Sequence, residues 1–406
     1  MLTEKRKNLI YLITYIGYAS IYISRINLSM AGPDLKAAGI LTTAQLGFLG
    51  TAFSVVYALG RLFNSMRADG VEPRTMIGTG LLFTGLAGIG VGMLPPYGGI
   101  LLLWCVNAFA QSMLWSSVLR IVHALYDGSD RQISRLSFVA STVASGQVAG
   151  ILLALFLLGR LGLRWAFLLP GLFTLLAGVT VFLTFPLINN AAAGKTDGGA
   201  ENTALPQSGN PFRKLKQMFG FEEVRLAAAP SVFMGLMKDN VTLWMAVYFV
   251  DTYGIDLSGT TGYVLFIPLV GLAARLLFPA VLKLFGNNEH KVSRYSFAGS
   301  AAASLVLLLV KDPLASVIAL SLVYAFMSLT NSSFLSVFPV RFAKEGCIAS
   351  ITGVMDFTAY IGAGIGSAVF GLLIGAFGYG AMFAVWLFAS AAGYLILRKL
   401  CTYKKE

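Results

Sequence analysis

Apolar runs of about 20 to 30 residues, separated by short Gly-, Pro- or charge-bearing breaks, recur along the whole chain. They predict helical spans at 8–30, 43–66, 75–95, 98–125, 132–160, 163–187, 224–250, 258–285, 291–311, 313–342, 347–375 and 378–400. About 20 apolar residues suffice to cross a bilayer as a helix, so the pattern predicts an all-α membrane protein of twelve transmembrane helices. The longest polar stretch, 188–223, is rich in Gly, Asn and Lys and divides the spans six plus six. It reads as a linker between a six-helix bundle at 1–187 and another at 224–406. Lys5-Arg6-Lys7 before an apolar run has the flavour of a signal peptide. That run is too long, contains Arg25 and lacks a small-residue cleavage site, so it reads as a retained first span.

Composition narrows the class. Charged residues make up 12% of the chain and hydrophobic ones 57%, against about 25% charged in soluble domains. A soluble enzyme, a nucleic-acid module and a disordered scaffold are excluded. The net charge of +12 does not point to nucleic acid, because the bases cluster between spans. Of the 30 lysines and arginines, with those at span ends counted in the adjoining segment, 21 fall in segments that an inside N-terminus makes cytoplasmic, four in outer segments and five well within spans. That asymmetry predicts cytoplasmic termini in a cell (inner) membrane protein. Cys105, Cys347 and Cys401 are too scattered for a disulfide frame or a zinc site, and no cofactor or catalytic cluster is implied.

A repeat runs through both halves. Ser112-Met-Leu-Trp-Ser-Ser-Val-Leu119 aligns with Ser328-Leu-Thr-Asn-Ser-Ser-Phe-Leu335 at an offset of 216, which also places Gly146 and Gly150 on Gly362 and Gly366. Arg25 and Asn27 meet Lys238 and Asn240 at offset 213, and Arg61 meets Arg275 at 214. Two six-helix halves in parallel repeat form the architecture of major facilitator transporters. The glycine pairs predict close helix packing.

The in-span bases are Arg25, Arg61, Arg120, Lys238 and Arg275. Each costs about 2.5–3.5 kcal/mol at mid-span, so retention calls for a polar cavity or a partner. Arg61 and Arg120 lie near cytoplasmic ends and either snorkel or gate; Arg275 is the counterpart of Arg61. Arg25 and Lys238 sit deeper, at corresponding depths in equivalent spans. Tyr11, Tyr15, Tyr18, Tyr22, Arg25 and Ser29 share one helical stripe. Asp239 and Asp356 could neutralise the deep bases structurally, but in-span bases exceed acids five to two, and the excess favours an anion. Asn107, Gln111 and Trp115 recur at helical spacing in the fourth span, as do Tyr324, Ser328 and Asn331 in the tenth. These stripes are read as lining a cavity, with helix–helix bonding the other reading.

Gly17-Tyr18-Ala-Ser-Ile-Tyr22-Ile-Ser-Arg25-Ile-Asn27-Leu-Ser-Met-Ala-Gly-Pro33 resembles the first helix of the organophosphate:phosphate antiporter family. Gln111, Trp115 and Arg120 are similar to that family's fourth-helix pattern, Lys238 with Trp244 and Tyr248 to its seventh, and Gly60-Arg61 to its second-helix basic position. The resemblance implies that Arg25 and Lys238 hold a phosphate, one from each half. Ile26, Ser145, Leu243 and Ala246 depart from the family pattern, where a base, a histidine, an acid and a proline stand. A phosphonate, sulfonate or sugar acid therefore stays open as substrate. The first-helix motif also resembles the anion:cation symporter family.

The resulting expectation is a monomeric carrier in the lipid bilayer that exchanges a small organic anion, with inorganic phosphate or a proton as partner. Its substrate residues are Arg25, Lys238, Tyr18, Tyr22, Gln111, Trp115, Asn331 and Tyr360. Gating or coupling falls to Arg61, Arg120, Asp239, Arg275 and Asp356. Proton-coupled symport and a non-transporting anion receptor are the rival readings.

Overall fold

A computed structural model describes residues 4–67, 71–126, 135, 138–139, 142–185, 216–255, 261–342 and 348–402. The helices are α1 (Glu4–Ala37), α2 (Thr43–Arg67), α3 (Pro73–Gly92), α4 (Tyr97–Ser112), α5 (Leu114–Tyr126), α6 (Thr142–Arg160) and α7 (Trp165–Thr184). They continue as α8 (Glu222–Tyr253), α9 (Thr261–Leu284), α10 (Glu289–Leu309), α11 (Pro313–Ser332), α12 (Ile348–Phe377) and α13 (Tyr379–Thr402). Helices α4 and α5 together make the fourth expected span, interrupted at Met113. Helix α11 runs on through a π turn, Ser333–Val337, and a 3₁₀ turn, Phe338–Phe342. Among the described residues nine helices are long and apolar enough to cross a membrane. Helix α8 is not one of them, because Lys238, Asp239 and other polar residues lower its hydropathy. Large apolar side chains such as Leu102, Leu276 and Phe388 stand exposed on helix surfaces, where lipid takes the place of a protein core.

Helix α1 runs past its expected end at residue 30. Pro33 removes one backbone donor without stopping it, as membrane helices tolerate. The stop is Gly39, at φ +67°, where the Ile40 amide returns to the Leu35 carbonyl at 3.0 Å. That left-handed cap suits a residue without Cβ.

The chain forms two compact units. The first comprises Met1–Ile40 and Leu59–Glu201. In it α1 crosses α6 where Gly146 and Gly150 meet the backbone of Ala19 and Ile23, and α3 crosses α7 where Gly88 meets Gly171. Ile21, Leu81, Leu114, Val118 and Ile121 fill the core of this unit. Asn27 donates across to the Ala166 carbonyl at 3.2 Å.

The second unit comprises Leu41–Ala58 and Asn202–Glu406. Residues 41–58 belong to it although they precede α3 in the chain, since Gly47 meets the α12 backbone and the Thr51 hydroxyl donates to the Gly364 carbonyl at 2.7 Å. Helices α8 and α12 cross at Gly235 and Gly362, repeating the contact that α1 makes with α6. Asn240 lies beside it, donating to the Ala363 carbonyl at 3.2 Å and accepting from the Ser367 hydroxyl at 3.0 Å. Such interhelical bonds are worth about 0.6–1.7 kcal/mol in a bilayer. At about 2–4 °C per kcal/mol, Asn240→Ala is expected to lower the melting temperature in detergent by a few degrees; an unchanged transition would show these bonds to be idle.

At one end of the second unit the Arg341 guanidinium reaches Glu289 (3.0 Å), Glu223 (3.4 Å) and His290 (2.9 Å). Both carboxylates and the imidazole are buried, so this ion network ties α8 and α10 to the turn after α11. It was not foreseen: His290, Glu289 and Glu223 lie 51, 52 and 118 residues from Arg341 in the chain.

Candidate functional site

In the first unit α1 turns its tyrosine stripe inward. The Tyr18 and Tyr22 hydroxyls lie 3.3 Å apart, and the Trp115 ring tilts against Tyr18 at 5.4 Å between centroids. Three expected substrate residues thus stand together, with Arg25 half-buried one turn further along the stripe. Nearer the start of α1, the Tyr15 hydroxyl meets Ser145 at 3.0 Å. Tyr11 donates to the Arg135 carbonyl at 2.9 Å while the Arg135 guanidinium lies 4.8 Å from its ring centroid.

The fourth-span stripe behaves differently from the cavity-lining expectation at two of its three positions. Asn107 and Gln111 are 2% and 1% exposed. Gln111 donates to Asn107 at 2.9 Å and to the Ile21 carbonyl of α1 at 3.5 Å. Gln111 thus bonds α4 to α1, while Asn107 is its partner within α4; Trp115 is the half-buried member. Arg120 donates to the Val71 carbonyl at 2.9 Å, anchoring the residues before α3. Arg61 is half-buried on α2.

In the second unit Lys238 sits near the middle of α8, a 32-residue helix, and its ammonium is 2.5 Å from the Asp239 carboxylate. The possible neutralisation by Asp239 is thus realised geometrically. Asp356 and Tyr360 lie half-buried one turn apart on α12. The Tyr360 ring packs against Tyr57 at 4.7 Å, and Phe53 stacks on Tyr57 at 5.8 Å. Tyr57 was missed; its i, i+4 spacing from Phe53 in the second span was the available signal. Asn331 is half-buried at the end of α11, two residues before the π turn begins, while Tyr324 and Ser328 are buried. The Ser328 hydroxyl is buried with no hydrogen-bond partner among the described residues. Tyr324 lies against Gly271, one turn before the half-buried Arg275 on α9. The α-helical ladder is thus broken near the polar stripes of both spans, by a turn at Met113 in the fourth and by the π turn Ser333–Val337 in the tenth; π turns of the latter kind cluster at functional sites. Cys347 lies outside the described residues; Cys105 and Cys401 are free thiols.

Long apolar helices with a mid-helix base in each unit define an integral, multi-pass membrane protein. A family model described as Major Facilitator Superfamily matches residues 14–367, and the chain belongs to that superfamily. It is similar over 402 residues, at 23% identity, to the membrane sensor protein UhpC of Salmonella typhimurium, covering 94% of this chain and 89% of that one. A probable hexose phosphate transport protein of Chlamydia muridarum is 26% identical over 40% of this chain and 36% of its own length. The glycerol-3-phosphate transporter of Haemophilus influenzae is 31% identical over 29% and 25%, respectively. These relatives match the resemblance to organophosphate:phosphate antiporters seen in the motifs.

Among solved structures, a bacterial homolog to the human lysosomal transporter Spinster superposes with a TM-score of 0.77 at 16% identity, covering 98% of this chain and 96% of that one. The nucleoside transporter NupG gives 0.78 at 12% identity, covering 96% and 99%. The fold is the twelve-helix major facilitator fold, and the chain is not an enzyme.

Proposed function

We propose that the protein is a secondary active carrier of a small organic anion, a phosphate ester or a related phosphonate, working as an antiporter by alternating access. The observation that carries this reading is the pair Arg25 and Lys238, one deep base in each of two repeat-related spans at offset 213. Two bases retained at such cost suit a headgroup bearing two negative charges. Arg25 offers a planar fork and sets orientation, whereas Lys238 acts as a point charge. Tyr18, Tyr22 and Trp115 in the first unit, and Asn331 and Tyr360 in the second, offer the solute hydroxyl, indole and amide groups, and Gln111 holds the helix carrying Arg25. Arg61, Arg120 and Arg275 serve gating. The relatives named for hexose phosphate and glycerol 3-phosphate support the substrate class. In this reading the carrier is a monomer of the inner membrane, both termini are cytoplasmic, and 188–223 links halves 1–187 and 224–406.

The similarity to a protein named a sensor, along 94% of this chain, favours a second reading, an anion receptor that moves nothing. Proteoliposomes separate the cases. Internal phosphate that accelerates uptake of a labelled ester supports antiport; acceleration by a pH gradient alone supports symport; binding without flux supports the receptor.

Asp356 aligns with Ala140 in the repeat, so symmetry does not require it. A half-buried carboxylate one turn from Tyr360 repels some anions more than others. Asp356→Asn is expected to alter the preference among phosphate esters, phosphonates and sugar acids several-fold while leaving expression intact. An unchanged ranking across that panel would reduce Asp356 to a structural group.

A further inference from the structure

Lys238 and Asp239 are sequence neighbours, and neighbours on a helix point about 100° apart and do not ordinarily meet. Here the lysine stem bends round so that its ammonium reaches the carboxylate at 2.5 Å. Helix geometry does not impose that contact. It forms because, among the described residues, each charge has the other as its side-chain partner. The pair also lies off the packed face of α8: Met237, Asn240 and Val241 are at most 1% exposed, whereas the Lys238 and Asp239 side chains are 14% and 33% exposed. Thr242 donates to the Asp239 backbone carbonyl at 2.8 Å and leaves the carboxylate to the lysine. The ammonium is thus held by a partly exposed carboxylate and is not locked into the core.

We propose that Asp239 is a built-in surrogate for the transported anion, occupying Lys238 in the empty carrier and competing with solutes for it. The inference rests on the reading of Lys238 as an anion site and names the substrate class that site admits. A tethered carboxylate acts at a high effective concentration. A single-charged anion that replaces it gains no charge contact and loses its own translational freedom. A doubly charged oxyanion brings more charge and more acceptor oxygens to the ammonium than the carboxylate it displaces. Asp239 is therefore a specificity-determining residue: it rejects monoanions such as acetate and admits dianionic headgroups.

The test is anion-dependent melting of the purified full-length protein at about pH 8, where phosphate is mainly a dianion. Inorganic phosphate, glucose 6-phosphate and acetate are titrated against the wild type, Asp239→Asn and Lys238→Gln. Phosphate and glucose 6-phosphate are expected to stabilise the wild type, and acetate is not. In Asp239→Asn the half-saturating phosphate concentration is expected to fall about tenfold and acetate to become effective. Asp239→Ser carries the same expectation should the Asn variant fail to accumulate. Unchanged or weaker phosphate binding in the neutral variants overturns the proposal, and so does continued indifference to acetate. Lys238→Gln keeps the two failures apart. If it still responds to phosphate as the wild type does, Lys238 is not the anion site and both readings fall; if it loses the response while Asp239→Asn binds no more tightly, the surrogate alone falls.

Discussion

Arg25→Gln is expected to abolish anion exchange in proteoliposomes and the stabilisation that an anion confers, while the protein still folds. The side chain is half-buried on the inward stripe of α1 beside Tyr22, so its loss removes charge without opening the hydrophobic core. Hydrogen bonds to charged groups contribute about 1.5–3 kcal/mol each, and a guanidinium makes two to one oxyanion. Losing both weakens binding by roughly 3–6 kcal/mol, or about 10² to 10⁴-fold at 1.4 kcal/mol per decade. Arg25→Lys restores the charge but not the fork, and exchange is expected to stay abolished. Lys238→Arg keeps a cation where geometry is looser and is expected to retain part of the activity. Exchange near the wild-type rate in Arg25→Gln would place the anion elsewhere.

The second large effect is on stability. A Cβ on Gly235 would overlap the Ala359 carbonyl oxygen, and one on Gly362 the Val232 carbonyl oxygen. Both obstacles are backbone atoms, which cannot rotate away as a side-chain tip can. Gly235→Ala and Gly362→Ala must therefore push α8 and α12 apart, at an overpacking cost of about 1–3 kcal/mol or more each. At about 2–4 °C per kcal/mol, each is expected to lower the melting temperature by roughly 2–12 °C, and the double variant is expected not to accumulate. Gly375 lies on the same helix with nothing within 4 Å of an added Cβ. Gly375→Ala is expected to be neutral or slightly stabilising. Equal melting temperatures for Gly362→Ala and Gly375→Ala would show that the close crossing is not needed.

Close packing at Gly362 was legible in advance, because glycines four apart in an apolar helix have few other uses; its partner Gly235 on α8 was not. The spans were legible too, since hydropathy is a local property and each run ended at Gly, Pro or charge. The end of α1 was not: Pro33 reads as a stop by soluble-protein rules, whereas a membrane helix passes through it and Gly39 ends it. The interruption at Met113 and the π turn at Ser333–Val337 leave no mark on hydrophobic periodicity. At the candidate site, the tyrosine stripe beside Arg25 followed from helical spacing alone. The inward turn of Asn107 and Gln111 did not, because a polar stripe looks the same whether it faces water or a neighbouring backbone. The contact of Lys238 with Asp239 lies outside helical-wheel reasoning, which pairs residues three or four apart. Arg341 with Glu223 and Glu289 depends on tertiary proximity that single-chain spacing does not encode.

Counterflow tests the central claim most directly. Vesicles containing the purified protein are preloaded with unlabelled solute, and entry of labelled glucose 6-phosphate or glycerol 3-phosphate is followed against glucose and glycerol. A carrier that reads the anionic headgroup is expected to accelerate the phosphate esters in the wild type, to leave the parent alcohols at background, and to lose the acceleration with Gln at position 25 or 238. Equal acceleration of glucose or glycerol, or ester counterflow that survives both Gln variants, would contradict it.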